Sequence, residues 1–296
     1  MQEANKEWNK LHKKLTLLFI GISWSTLINA NGGFSSFYQA QQNQLIDLAC
    51  QAMPGQNTNY IVLTFNNNTS ETLLLELEAG TLLDPFSPSH TSLLSREKHR
   101  VALPAEVSKT LKVAVYSTSL KKMPADTFRY AIAKEAPEKW YQAANYLAMN
   151  EYDSTLAQKA IWAITANFPF SAVCSEQKDQ TQRLRTYLTT LLDETEEPWV
   201  ALFFQTDSTG RPVRQFQSLR ISTPYQVRNN TMLSFYILNQ SGQLIQKLQQ
   251  GIPRNPGNYT YEVELRIAHW PPGIYQLVIR SPEQMLLRKQ FVLEVF

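Results

Sequence analysis

The chain has 296 residues, with 28 Lys and Arg against 25 Asp and Glu and a formal charge of +3. With 43% hydrophobic and 11% aromatic residues it is neither disordered nor collagen-like, and a charge this near neutral gives no electrostatic ground for nucleic-acid binding. Two cysteines exclude a disulfide-dense scaffold, a four-thiolate zinc site and an iron–sulfur cluster.

The first thirty residues read as an address. Lys10, Lys13 and Lys14 precede the apolar run Leu15–Ile28 (LTLLFIGISWSTLI), shorter than the roughly 20 residues that span a bilayer stably. A basic head, a short apolar middle and a small residue (Ala30) before the cut are the parts of a secretory signal. An uncleaved anchor or a buried N-terminal helix is the alternative. Residues 1–14 hold four Lys and two Glu, so their removal takes the charge from +3 to +1. Cys50 follows Leu48 and Ala49 as at a lipoprotein cleavage site, but Asp47 interrupts the pattern and the apolar run has already ended, so lipidation is not expected. In an oxidising compartment Cys50 and Cys174 could form a disulfide; two unpaired buried thiols are the preferred reading.

Residues 31–55 are rich in Gln, Ser and Gly and read as a lead-in, with one amphipathic stretch around Leu45–Cys50. Strand signals follow. Tyr60–Phe65 and Thr72–Leu77 flank the turn-forming Asn66–Ser70 (NNNTS) and predict a hairpin. Gly80 bends the chain before Thr81–Leu83, Asp84–His90 (DPFSPSH) is irregular, and Val101–Leu103 and Leu111–Tyr116 are further strands ahead of a Lys/Pro loop through Pro124. After Pro137 the period changes. Trp140, Ala144, Leu147 and Ala148 predict one helix, Leu156, Ala160, Ile161 and Ile164 a second, and Leu184, Tyr187, Leu188 and Leu191 a third. Asp153 or Ser154 caps the second, and Pro169 stops it.

The acidic segment Asp193–Pro198 (DETEEP) reads as a linker. Beyond it seven short strand-like runs, from Val200–Phe204 to Leu286–Val295, are separated by turn residues about every ten positions. The expected fold is therefore α+β and mostly β. It comprises a β-plus-helical domain over residues 56–192, the linker 193–198, and an immunoglobulin-like antiparallel β-sandwich over 199–296.

Residues from about 220 to the end resemble the sorting domains of type IX secretion cargo of Bacteroidota. Ile237–Leu244 (ILNQSGQL), Trp270–Ile279 (WPPGIYQLVI) and Lys289–Leu293 (KQFVL) carry the likeness, with Gly242, Pro272, Gly273, Tyr275 and Lys289 as the motif positions. The Tyr-Pro-Asn-Pro-like opening often found in such domains is absent, with Ser222–Tyr225 (STPY) the nearest approach to it. On their own account Gly242 and Gly273 suit the positive φ of tight hairpins, and Tyr275 can bury its ring while its hydroxyl finds a backbone partner. The middle region resembles thioester-type domains of bacterial surface proteins through Ala157–Thr165 (AQKAIWAIT), their Gln-x-Ala-x-Trp helix. The resemblance makes Gln158 the thioester glutamine, and Trp162, the tryptophan of the motif, reads as a core residue. It also implies a cysteine near the end of Leu111–Tyr116, where this chain has Ser117 and Thr118. A hydroxyl is a far weaker nucleophile than a thiolate, so the cross-link is expected to be lost.

Other chemistry is sparse. His12, His90, His99 and His269 form no metal-ligand spacing, and no phosphate loop, dinucleotide fingerprint or Gly-x-Ser-x-Gly elbow occurs. Glu76 and Glu78 suit a solvated strand face better than acid–base work. The sequence thus points to an exported, non-enzymatic envelope or surface protein, without cofactor or metal. Secretion machinery and other surface proteins are its expected partners, with no nucleic acid, no small-molecule substrate and no transmembrane helix in the mature chain. The alternatives are a covalent adhesin, an unrecognised secreted enzyme, or a structural subunit of an envelope assembly.

Overall fold

Ile61, Leu63 and Phe65 alternate with outward-facing neighbours along β3 (Tyr60–Asn67), and all three are buried. This alternation is the first half of a closed barrel. The structure is a computed structural model that describes residues 33–52, 60–120, 128–193, 199–208 and 211–296. The signal-like segment 1–30, the Lys/Pro loop from Lys121 and residues 194–198 of the acidic segment lie outside the described residues. Among the described residues no helix is long and apolar enough to cross a membrane.

The barrel order is β2 (Ile46–Ala52), β3, β8 (Ser108–Ser117), β6 (Leu93–Ser95), β5 (Leu82–Pro85) and β9 (Phe128–Ile132), which closes back on β2 through Cys50 opposite Tyr130. A smaller sheet, β1 (Ser35–Ser36), β4 (Leu73–Leu77) and β7 (His99–Leu103), packs Leu73, Leu75 and Leu77 into the same core. Between β1 and β2 runs α1 (Phe37–Gln42), whose Phe37 meets Phe65 edge-on at 4.9 Å.

Three expectations are corrected here. The lead-in 31–55 contains β1, α1 and a full barrel strand, because Phe37, Ala40, Ile46, Cys50 and Ala52 point into the core. The hairpin across Asn66–Ser70 does not form: β3 pairs with β2 and β8, whereas β4 pairs with β1 and β7. The Asn-rich turn instead carries the chain between sheets, where buried Asn67 donates its side-chain amide to the carbonyls of Glu71, Leu103 and Pro104. Asp84 and Pro85 belong to β5 rather than to an irregular segment.

The helices are α2 (Glu138–Met149), α3 (Ser154–Thr165) and α4 (Lys178–Leu192). Asp153 caps α3, its carboxylate accepting from the Thr155 and Leu156 amides at 3.0 and 3.1 Å. That helix ends at Thr165, and Asn167 turns in the left-handed region (φ 51°) before Pro169 is reached. Leu147, Leu156, Ala160, Ile161, Leu184 and Leu188 pack the helices against Leu82, Leu94 and Tyr116 of the barrel. In α2, Ala143 takes the inward place expected for Ala148, which is exposed.

All seven C-terminal runs are strands: β10 (Val200–Thr206), β11 (Pro212–Val227), β12 (Thr231–Asn239), β13 (Leu244–Arg254), β14 (Gly257–Arg266), β15 (Gly273–Arg280) and β16 (Met285–Leu293). They form a three-stranded sheet, β10-β11-β14, and a four-stranded sheet, β13-β12-β15-β16, both antiparallel. Leu233, Phe235, Ile237, Leu277 and Ile279 of one face Leu219, Ile221, Tyr261 and Leu265 of the other across a shared core. That core extends beyond the sheets: Trp162, Phe168 and Ala172 of the helical region are part of it.

Candidate functional site

The end of β8 meets the second turn of α3, because packing of Leu156, Ala160 and Ile161 on the barrel presents Gln158 to the strand. The Ser117 amide donates to Gln158 Oε1 at 2.9 Å, and Gln158 Nε2 donates to the Ser117 carbonyl at 2.8 Å. The glutamine amide therefore pairs with one peptide unit as a neighbouring strand would, satisfying a donor and an acceptor at a buried position. One turn later Trp162 donates its indole N–H to the Ser119 carbonyl at 3.1 Å. Thr118 is tied by its own amide and hydroxyl to the Ser92 carbonyl at 3.1 and 2.7 Å. Residues 117–119 are thus held from both sides.

Gln158, Ser117 and Trp162, singled out by one resemblance in the sequence, come together at one place. Their chemistry is that of a clamp. The Ser117 hydroxyl donates to the Ser119 carbonyl at 2.8 Å, and among the described residues no basic side chain hydrogen-bonds to its Oγ to activate it. The two thiols lie elsewhere and are both free and buried, so the disulfide between Cys50 and Cys174 does not form. Cys50 is on a barrel strand opposite Leu63 and Tyr130, and burial pushes its thiol up to about 12. Cys174 follows a short turn and its Sγ lies 3.5 Å from the Leu202 carbonyl; burial raises its pKa, opposed by Lys159, Arg185 and Arg220.

The C-terminal motif positions have separate structural roles. Gly242 (φ 81°) closes the turn between β12 and β13, its amide bonding the Asn239 carbonyl at 3.0 Å. Gly273, at φ 158°, is nearly extended and opens β15 instead of turning a hairpin; Pro272 precedes it on the surface. Tyr275 is buried, stacked between Trp270 and Phe291 at 5.2 and 5.8 Å, and donates its hydroxyl to the Pro271 carbonyl at 2.8 Å. Lys289 lies mid-strand opposite Leu277, because pairing of β16 with β15 begins four residues earlier at Met285; its ammonium sits 5.4 Å over the Trp199 ring.

Two features escaped the sequence. One is the junction at which Phe296 packs 5.2 Å from Phe168 and 5.1 Å from Phe204; a terminal aromatic and an aromatic beside Pro169 were the available signals. The other is a cleft of about 330 Å³ between β4 and the start of α2, lined among others by Tyr38, Glu76, Glu78, Thr81 and Tyr141. At its edge the Glu76 carboxyl is held down to about 2 by hydrogen bonds with Glu78, Arg100 and Lys98. His90 and His99 are apart in role: the His90 ring lies tilted against Phe128 at 3.7 Å and bonds Ser89, while His99 sits in β7, its Nε2 buried without a hydrogen bond among the described residues.

The chain matches no protein-family model and no curated protein. The geometry of its own residues is what a functional reading rests on.

Proposed function

We propose that the chain is an exported envelope or surface protein that works by binding other proteins and not by catalysis. One observation carries the reading: the Gln158 amide, which would form the electrophile of a thioester domain, is spent on the backbone of Ser117, where a hydroxyl stands in place of a thiol. The region keeps the helix–strand meeting that such chemistry would need and lacks its nucleophile.

The C-terminal region is read as an immunoglobulin-like sandwich similar to a sorting domain. In support, the first, second and fifth strands form one sheet and the third, fourth, sixth and seventh the other. This differs from the constant-type immunoglobulin arrangement only in the sheet to which the fourth strand belongs. The Tyr275–Pro271 hydrogen bond at the start of the sixth strand matches the tyrosine corner of that architecture. The export partner would then meet the last strands, where Lys289 and Trp199 are stacked.

Cell fractionation of the full chain, with an epitope inserted at residues 194–198, tests export, and labelling of intact cells is the expected result. Truncation of Lys289–Phe296 is a poor probe of sorting because it removes the core residues Phe291 and Leu293. Lys289→Ala leaves them in place, although it removes the contact with Trp199, and should lower surface labelling while the variant still melts as one cooperative unit. A full-length protein confined to the cytosol would overturn the reading.

A further inference from the structure

The two C-terminal sheets present different outer faces. On the three-stranded sheet Arg220 lies between Glu176 and Glu264 at 3.0 and 3.1 Å, and Lys178 pairs with Glu262 at 3.0 Å. Those cations are spent on ion pairs that hold the segment leading into α4 across the sheet. On the four-stranded sheet the register aligns Lys247, Tyr236, Val278 and Arg288 along one rung and Ser234, Arg280 and Met285 along the next. Their side chains face away from the core, since the alternate positions Phe235, Ile237, Leu277 and Ile279 are the ones buried within it. Among the described residues no ion pair joins Lys247, Arg280 or Arg288 to a carboxylate, although Glu283 and Glu294 border the face.

Both arginines are held in place. Arg280 stacks 5.1 Å over the Tyr236 ring, and Arg288 Nε donates to the buried Gln276 Oε1 at 2.8 Å. Side chains already ordered lose less rotamer freedom when they bind. The edges of the sheet also expose aliphatic side chains: Leu244 is 55% exposed on β13 and Val292 45% exposed on β16.

We propose that this outer face is a docking surface for a polypeptide segment carrying both carboxylates and aliphatic side chains. Charge complementarity supplies the carboxylates, because three cations stand here with no acidic partner among the described residues. The exposed Leu244 and Val292 supply the aliphatic requirement, which a polyanionic sugar or nucleic acid would leave unmet. Spacing fits an extended chain. Strands about 4.8 Å apart put the Lys247 and Arg288 backbones roughly 14 Å apart, the reach of about four extended residues. A segment crossing the strands with carboxylates four residues apart meets both ends of the rung. This inference is independent of the export reading.

The test is fluorescence polarisation of the purified full chain with a labelled short peptide bearing glutamate at every fourth position and leucine and serine between. Saturable binding is expected, screened by added salt. It should weaken about tenfold in Arg280→Gln/Arg288→Gln and with a glutamine-substituted peptide. Lys247→Gln, whose ammonium bonds only the exposed Gln250 among the described residues, isolates the charge effect and should weaken binding in the same direction. Absence of saturable binding would overturn the proposal, and so would binding unchanged in variants that melt like the parent. Heparin and phosphatidylglycerol vesicles run beside the peptide decide the class. Binding of either through the same three side chains, with the peptide inactive, would also overturn it.

Discussion

At the scale of single residues, Gln158 explains why β8 ends as it does. Replacing it with alanine leaves the buried amide and carbonyl of Ser117 unpaired, which costs about 2–3 kcal/mol. Ser117→Ala loses the hydroxyl's bond to the Ser119 carbonyl and the longer one it accepts from the Ser119 amide, and should cost about 1 kcal/mol. Chemical denaturation of both variants checks the order, and a larger loss for Ser117→Ala would contradict the clamp. Glu76 gives a pH dependence of definite sign. Its carboxyl is held down to about 2, below its ordinary value, so the folded state binds fewer protons than the unfolded state between those limits. The stabilisation is full above the ordinary carboxylate range and is lost as pH falls towards about 2. Melting temperatures measured across that window should fall more steeply for the parent than for Glu76→Gln; parallel curves would show that Lys98 and Arg100 contribute nothing through it.

At the scale of elements, the corner between β14 and β15 is fixed by Tyr275, whose ring is stacked on both sides and whose hydroxyl is bonded to Pro271. Tyr275→Phe keeps the stacking and drops the hydrogen bond, so it should lower stability by about 1 kcal/mol with an unchanged far-ultraviolet circular dichroism spectrum. A neutral substitution would mean the hydroxyl does no more than meet solvent. The elements also show how far the sequence could be read. The helices over 138–165 and 178–192 were legible because each carries an apolar stripe of helical period, and all seven C-terminal strands because turn residues punctuate them. The pairing of β3 and β4 was not legible. Adjacent strands joined by an Asn-rich turn look like a hairpin, and only the distant carbonyls of Leu103 and Pro104, which hold Asn67, divert the chain into a second sheet. Barrel closure by β9 and the strand hidden in residues 46–52 depend on non-local pairing that no local pattern announces. Of the site, Gln158, Ser117 and Trp162 were legible as motif positions, and the resemblance implied that Gln158 reaches the strand end at Ser117. The backbone, and not the side chain, as the partner of the amide was not.

At the scale of the whole molecule, the barrel, the helices and the two-sheet stack are joined through side chains that serve more than one of them. Trp162 binds the loop after β8 and also enters the core of the stack, where Phe168 meets Phe204 and Phe296. The clamp and the C-terminal core thus share one helix, and packing and ion pairs join the helical region to the stack. The central claim is that this molecule binds without a covalent step at Gln158. Intact-mass measurement of the purified protein, before and after incubation with methylamine, tests it most directly. The account predicts the full mass of the chain with no adduct; a deficit of about 17 Da that methylamine fills at Gln158 would contradict it.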